Sequence, residues 1–189
     1  MGAKSDSRQK ILEAATRLFN IQGYHATGLN QILKESGAPK GSLYYHFPDG
    51  KEQLAVEAVN KMAAQIEYDI KQVMEQYDNA LEALQAHITK IAKHFNKNDL
   101  FEGLPIGLLA AETSLISEPL RKACKDAFEG WETIYCEKLI QDGFDPEKAY
   151  RLSLLVNSMI EGAITRSLTN LNGQPLLNIS SCLPEILKK

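Results

Sequence analysis

The 189-residue sequence predicts an all-α protein, on three observations. Apolar residues recur three and four apart along most of the chain, the period of a helix with one buried face. No stretch keeps the strict alternation of a half-buried strand. The periodic stretches are separated by helix-breaking groups: Gly23, Gly37, Asp78-Asn79, Asp142-Gly143 and Asn172-Gly173.

The first helix is expected over residues 5–22, with Ile11, Leu12, Ala15, Leu18 and Phe19 inward. Ser5 or Asp6 can cap it, and Gly23 ends it with Tyr24 folding back over the last turn. Leu29, Ile32 and Leu33 mark a short helix from Leu29 to Ser36. Gly37 then stands where a left-handed residue is needed. Pro39 suits the first turn of a third helix, about Lys40 to Phe47. A fourth helix, 51–77, carries the stripe Leu54, Ala58, Met62, Ile66, Ile70, Val73, Tyr77 and would extend about 40 Å. A fifth is expected over 79–97 (Leu81, Leu84, Ile88, Ile91, Phe95), followed by a turn at Lys97-Asn98-Asp99. Residues 103–116 are apolar but interrupted by Gly103, Pro105 and Gly107. Ser117-x-Pro119 opens a helix to about Gln141. Asp145-Pro146 is a cap followed by proline at the first helical position, opening a helix over 146–171. A last helix starts near Pro175.

Residues 28–54 are the most informative segment. A helix, a tight glycine-containing turn and a second short helix form the layout of a helix-turn-helix DNA reader. At about 100° per residue, Leu43 and Phe47 fall on one side and pack inward. Gly41, Ser42 and Tyr45 face outward, Lys40 and Tyr44 share one flank, and His46 lies on the other. These groups can hydrogen-bond phosphate oxygens and base edges, and Gly41 lets the backbone approach the groove closely. Burial alone does not account for two adjacent tyrosines and a histidine on a surface. Lys40, Gly41, Ser42 and Tyr45 are therefore expected nearest the bases. Tyr44, His46, Lys51 and Thr27 are expected on phosphates, Gln31 on the backbone from the preceding helix, and Arg8 and Lys10 within reach of it.

The segment resembles the TetR/AcrR family of transcriptional regulators. The resemblance rests on Ile32, Gly37, the run Lys40-Gly41-Ser42-Leu43-Tyr44-Tyr45-His46-Phe47, then Lys51-Glu52 and Leu54. Upstream, Ile11-Leu12-x-Ala14-Ala15-x-x-Leu18-Phe19 with Gly23-Tyr24 and Thr27 matches the family's first helix and its exit. The match covers roughly residues 8–60. Where the family reads Phe-Pro-x-Lys, this chain reads Phe47-Pro48-Asp49-Gly50-Lys51, and the extra residue resembles the LmrA/YxaF-type subgroup. The resemblance implies a three-helix, homeodomain-like DNA-binding domain over 1–50. It also implies a C-terminal antiparallel helical domain over 51–189 that dimerises and binds a small effector. A homodimeric repressor, released from a palindromic double-stranded operator by a planar aromatic or drug-like molecule, is the function it implies.

Composition permits this and excludes other classes. Residues 1–61 hold 8 Lys+Arg and 6 Asp+Glu, net +2, and the remainder 13 and 18, net −5, so the basic excess lies in the reader. The overall charge of −3 argues against a generic nucleic-acid coat. No apolar run reaches the roughly 20 residues of a membrane span, and the start lacks a secretion signal, so a cytoplasmic protein is expected. Cys124, Cys136 and Cys182 show no CxxC or His-Cys spacing and are expected as buried or idle thiols rather than metal or redox groups. No nucleophile–base motif, glycine-rich phosphate loop or metal spacing is present, so neither an enzyme nor a cofactor or metal protein is expected. His87 and His94, seven apart on one helix face, are expected to be solvated.

In the second part, Leu152, Leu155, Ile179, Leu183 and Ile186 are the candidate dimer seam, since two helices with broad apolar faces tend to meet a symmetry copy. Pocket candidates combine aromatic or sulfur groups with isolated polar ones: Phe101, Leu104, Leu108, Thr113, Trp131, Tyr135, Asn157, Met159 and Glu161. Asn157 and Glu161, four apart, share a helix face and serve equally as a pocket anchor, a seam hydrogen bond or a solvated stripe. A helical adaptor, a small-molecule-binding protein or an enzyme that keeps a helix-turn-helix-like domain is the competing class. Steep loss of duplex affinity with salt separates the DNA reader from it.

Overall fold

The computed structural model describes residues 2–95 and 106–188, and among these every regular element is a helix. In chain order they are α1 (Gly2–Ala26), α2 (Leu29–Ser36), α3 (Lys40–His46), α4 (Gly50–Met74), α5 (Ala80–His94), α6 (Ile106–Thr113), α7 (Glu118–Gln141), α8 (Pro146–Asn170) and α9 (Gln174–Ile186). The all-α expectation holds. No described helix is long and apolar enough to cross a membrane. The expected turn at Lys97-Asn98-Asp99 lies outside the described residues, as do Gly103 and Pro105 of the broken apolar segment.

The ends of the helices follow the local chemistry. Asn79 caps α5, its side-chain oxygen accepting from Glu82 N–H at 2.8 Å. Asp145 caps α8, accepting from the N–H groups of Glu147 and Lys148, with Pro146 in the first turn as expected. Ser117 caps α7 by accepting from Leu120 N–H at 3.2 Å. Gly37 closes α2 in the left-handed conformation, φ +64°.

One expected stop is made differently. The left-handed residue after α8 is Leu171, φ +53°, rather than Asn172 or Gly173. Gly173 has φ −83° and is needed for another reason. A β-carbon there would lie 2.3 Å from the Ala92 carbonyl oxygen, so only glycine lets the α8–α9 turn rest on α5. This helps α9 lie against both α5 and α8.

The chain divides into two compact units, Met1–Ala63 with Glu102–Ala127, and Ala64–Phe101 with Phe128–Lys189. In the first, α1 packs on α2, α3 and α6. Its core holds Ile11, Ala15, Phe19, Ile32, Leu43, Phe47 and Leu54, all inaccessible. In the second, Ala80, Leu139, Phe144, Ala149 and Leu152 form one buried cluster, with Ile186 and Leu187 packed against it.

Candidate nucleic-acid interface

The interface is built on α3, a helix of seven residues that cannot stand alone. Leu43 and Phe47, four apart, are both inaccessible and anchor it from behind. Arg8 of α1 lays its guanidinium 5.0 Å from the Phe47 ring centroid. Ile32 performs the same anchoring for α2. Pro39 precedes α3 in an extended conformation, and its carbonyl accepts from Ser42 N–H at 2.9 Å. The turn between the helices is thus fixed by Gly37, Pro39 and three buried apolar side chains.

The opposite face of α3 is open. Tyr45 is 69% and Tyr44 50% accessible, Lys40 and Gly41 are exposed, and Ser42 and His46 are half-buried. The Tyr45 and His46 rings meet edge to face with centroids 4.9 Å apart. A β-carbon at Gly41 would meet nothing within 4 Å, so the fold does not require glycine there.

Two further candidates sit at the corner between α1 and α2. Thr27 is 1% accessible. Its hydroxyl donates to the Gly23 carbonyl at 2.7 Å and its N–H to the Tyr24 carbonyl at 3.2 Å. Its side chain is therefore used inside the protein, because the corner leaves carbonyl groups that need a donor. Gln31 is exposed on α2 and exchanges amide hydrogen bonds with Gln22.

Lys51 follows the inserted residue. Gly50 takes up the extra length in the left-handed conformation, φ +63°, with its N–H donated to the Phe47 carbonyl. The Lys51 ammonium then lies 4.3 Å from the Tyr24 ring centroid and 3.4 Å from the His25 carbonyl oxygen. Burial lowers its pKa, and the Glu112 carboxylate opposes that shift. The Tyr24 ring stacks on Phe19, as expected, and its hydroxyl pKa is raised by burial and then by Glu52.

Of the pocket candidates, Phe101 and Leu104 lie outside the described residues. Leu108 is exposed on α6, while Thr113 is buried with its hydroxyl donated to the Leu109 carbonyl. Both belong to the first unit. In the second unit Trp131 and Tyr135 are buried on α7, and Asn157 is buried on α8, donating to the Glu132 carboxylate at 3.0 Å. Met159 and Glu161 are half-buried.

His87 corrects an expectation. It is 6% accessible rather than solvated, and its Nε2 is 3.0 Å from the Tyr135 hydroxyl. Burial, with Lys90 adding to it, pushes its pKa down to about 4. Its Nδ1 has no hydrogen-bond partner among the described residues. His94, at the last residue of α5, is exposed as expected. Periodicity placed the two histidines on one face, but only packing against Tyr135 could reveal which of them is covered.

The seam candidates also divide. Leu152 is 9% and Leu183 0% accessible, so both are covered by the chain itself, Leu152 within the cluster of Ala80, Leu139, Phe144 and Ala149. Leu155 is 43% accessible, and Ile179 and Ile186 are half-buried. Leu154, which falls off the apolar stripe of its helix, is 47% accessible beside Leu155.

Residues 11–58 match the family described as bacterial regulatory proteins, tetR family. Residues 80–182 match the description transcriptional regulator LmrA/YxaF-like, C-terminal domain. The HTH-type transcriptional regulator LmrA of Bacillus subtilis (strain 168) is 58% identical over 97% of this chain and 98% of its own length. The uncharacterized HTH-type transcriptional regulator YxaF of the same organism is 52% identical over 100% and 99%. The crystal structure of reduced Escherichia coli NemR shares the fold, with a TM-score of 0.83 at 21% identity, covering 96% of this chain and 97% of that one. The chain belongs to the TetR family of bacterial transcriptional regulators. Within it, the C-terminal domain is of the LmrA/YxaF-like kind.

Proposed function

We propose that this regulator is a homodimeric repressor whose α3 enters the major groove of a palindromic operator and which a small hydrophobic or aromatic effector releases. One observation carries the DNA-reading part. The outward face of α3 presents Tyr44, Tyr45, Lys40 and Gly41 to solvent, while Leu43 and Phe47 hold it from behind with no accessible surface. On this reading Lys40, Gly41, Ser42 and Tyr45 meet base edges, and Tyr44 and His46 meet phosphates. Gln31 reaches the backbone from α2. Lys51 turns toward the α1–α2 corner and contributes mainly by its charge.

Dimerisation rests on α8, where Leu154 and Leu155 remain 47% and 43% accessible, with half-buried Met159, Ile179 and Ile186 continuing the apolar surface onto α9. A two-fold pair sets two copies of α3 about 34–36 Å apart, one turn of B-DNA. The effector reading draws on buried Trp131, Tyr135 and Asn157 and on the resemblance to the LmrA/YxaF-like regulators. An effector that prefers a form with the wrong α3 spacing lowers the fraction able to span two grooves.

The test is selection of bound sequences from random duplex, followed by titration against operator and scrambled DNA. The wild type should bind a palindromic sequence, with affinity falling about tenfold or more over a few-fold rise in salt. Tyr45→Ala should lose its preference for operator over scrambled DNA while remaining folded and dimeric. Full retention of that preference sinks the assignment.

A further inference from the structure

One carboxylate of α6 organises the corner from which α2 and α3 depart. Glu112 Oε2 accepts from Tyr24 N–H at 2.7 Å and, at greater length, from His25 N–H at 3.4 Å. Its other oxygen fills the space beside Gly23. A β-carbon on residue 23 would lie 2.4 Å from Oε1. Gly23 itself has φ +79° and ψ 177°, a conformation reserved essentially for glycine. Residue 23 is therefore glycine for two reasons, the bend and the approach of Glu112. The bend breaks α1 and aims the next two amide groups at α6.

The contact continues toward the reader through Thr27 and the backbone that follows it. The carbonyls of Gly23 and Tyr24 hold Thr27 by its hydroxyl and its N–H, and the Gly28 carbonyl then accepts from the N–H groups of Gln31 and Ile32 in the first turn of α2. Lys51 closes the corner from the α4 side, over the Tyr24 ring and against the His25 carbonyl, with the Glu112 charge beside it. At the start of α7, Ser117 donates to Glu52 Oε1 of α4 at 2.6 Å, a further tie within the same unit. All of these residues lie within the first compact unit.

We propose that Glu112 is a positioning residue of the DNA reader: by holding the Tyr24 and His25 amide groups beside Gly23 it fixes the α1–α2 corner, and with it the pose in which α2 and α3 meet the operator. The inference rests on the function proposed above, and it adds a route by which the reader is set. A carboxylate that accepts backbone N–H groups forms charge-assisted hydrogen bonds, stronger than neutral ones. Hydrogen bonds from Glu112 to Tyr24 and from Thr27 back to the Gly23 and Tyr24 carbonyls, continued by the backbone into the first turn of α2, give that strength a path to the reader.

The test uses the full-length chain and the operator recovered by selection. Affinity for operator and for scrambled duplex, and thermal melting, are measured for the wild type, Glu112→Ala, Glu112→Gln, Gly23→Ala and the Gly23→Ala/Glu112→Ala pair. Glu112→Ala should weaken operator binding about fivefold or more and leave scrambled-DNA binding unchanged. A purely structural loss reduces the active fraction and scales both affinities alike. Glu112→Gln keeps an oxygen able to accept from Tyr24 N–H but loses the charge beside Lys51, and should fall between the two. Gly23→Ala should weaken operator binding, and because both residues act on one corner the pair should lose less than the product of the two single losses. Unchanged operator preference in Glu112→Ala overturns the inference. Should that variant fail to fold, unchanged preference in Glu112→Gln overturns it equally. A wild type that binds no duplex refutes the function itself and is seen before any variant is made.

Discussion

Tyrosine and histidine meet twice in this chain, in opposite surroundings. On α3, Tyr45 and His46 touch edge to face, and the phenol is 69% accessible. Between α5 and α7, His87 and Tyr135 meet with Nε2 and the hydroxyl 3.0 Å apart, at 6% and 1% accessibility. The side chains are alike, but the consequences differ. The buried pair satisfies part of its own hydrogen-bonding need, and its chemistry is bent by the low-dielectric surroundings: the imidazole pKa is pushed down to about 4 and the phenol pKa upward. The exposed pair presents its polar atoms on an open face, where a partner outside the chain can reach them. Burial of aromatic polar groups builds the protein, whereas their exposure on a helix anchored from behind offers a surface to a partner.

The largest effect should come from removing that anchor. Leu43→Ala deletes a fully inaccessible side chain beneath the exposed pair and should destabilise the protein by about 2–5 kcal/mol. Chemical denaturation measures this directly. A loss below about 1 kcal/mol would mean that α3 is not held by its apolar back face, and the contrast between the two regions would fail.

Next comes acid. The folded pKa of His87, about 4, lies below its ordinary value of 6.5. The unfolded chain therefore binds a proton that the folded chain refuses between those values. The stability contributed by the neutral ring is fully present above pH 6.5 and is lost as pH falls toward 4. The loss should reach about 2–3 kcal/mol near the lower end, at about 1.4 kcal/mol per unit. Denaturation midpoints from pH 7 to 4.5 should fall in the wild type and flatten in His87→Gln. The same steepness in His87→Gln would assign the acid response to other groups.

The two regions also differ in how much the sequence reveals. The anchoring of α3 depends on residues four apart and on Gly37 one turn earlier, all local, and Leu43, Phe47 and the left-handed Gly37 stand where the pattern puts them. Other placements depend on distant residues. Thr27 is buried because the corner at Gly23 leaves a carbonyl for its hydroxyl. Leu152 and Leu183 share periodicity with Leu155 and Ile179, and periodicity marks a residue as apolar without saying which neighbour covers it. Gly173 reads as a helix stop, but it is glycine because the Ala92 carbonyl approaches it from α5. Glu112 carries no motif at all, and its tie to Tyr24 spans 88 positions. Gly23 is the one sequence signal that points to it, and it reads equally well as an ordinary helix end.

One substitution made in both pairs sharpens the comparison further. Tyr135→Phe removes the only hydroxyl beside the His87 Nε2 that the described residues supply, and Nδ1 already has no partner there. A buried ring nitrogen left without a partner should cost about 1–3 kcal/mol. The denaturation midpoint should drop while operator affinity, measured well below it, stays at the wild-type value. A midpoint within experimental error of the wild type would mean that the hydroxyl contributes nothing to that interior.

Tyr45→Phe should reverse both outcomes. The ring and its edge contact with His46 remain, and the lost hydroxyl sits on an exposed face, so stability should stay within about 0.5 kcal/mol, as for surface changes away from special features. The cost should appear only in the presence of DNA. If the phenol donates to a base edge, losing it should weaken operator binding severalfold, within the roughly 1–3 kcal/mol that base contacts supply, and leave scrambled DNA unaffected. Operator binding equal to the wild type would leave Tyr45 acting through its ring alone. Equal weakening on both duplexes would move its hydroxyl from base to phosphate.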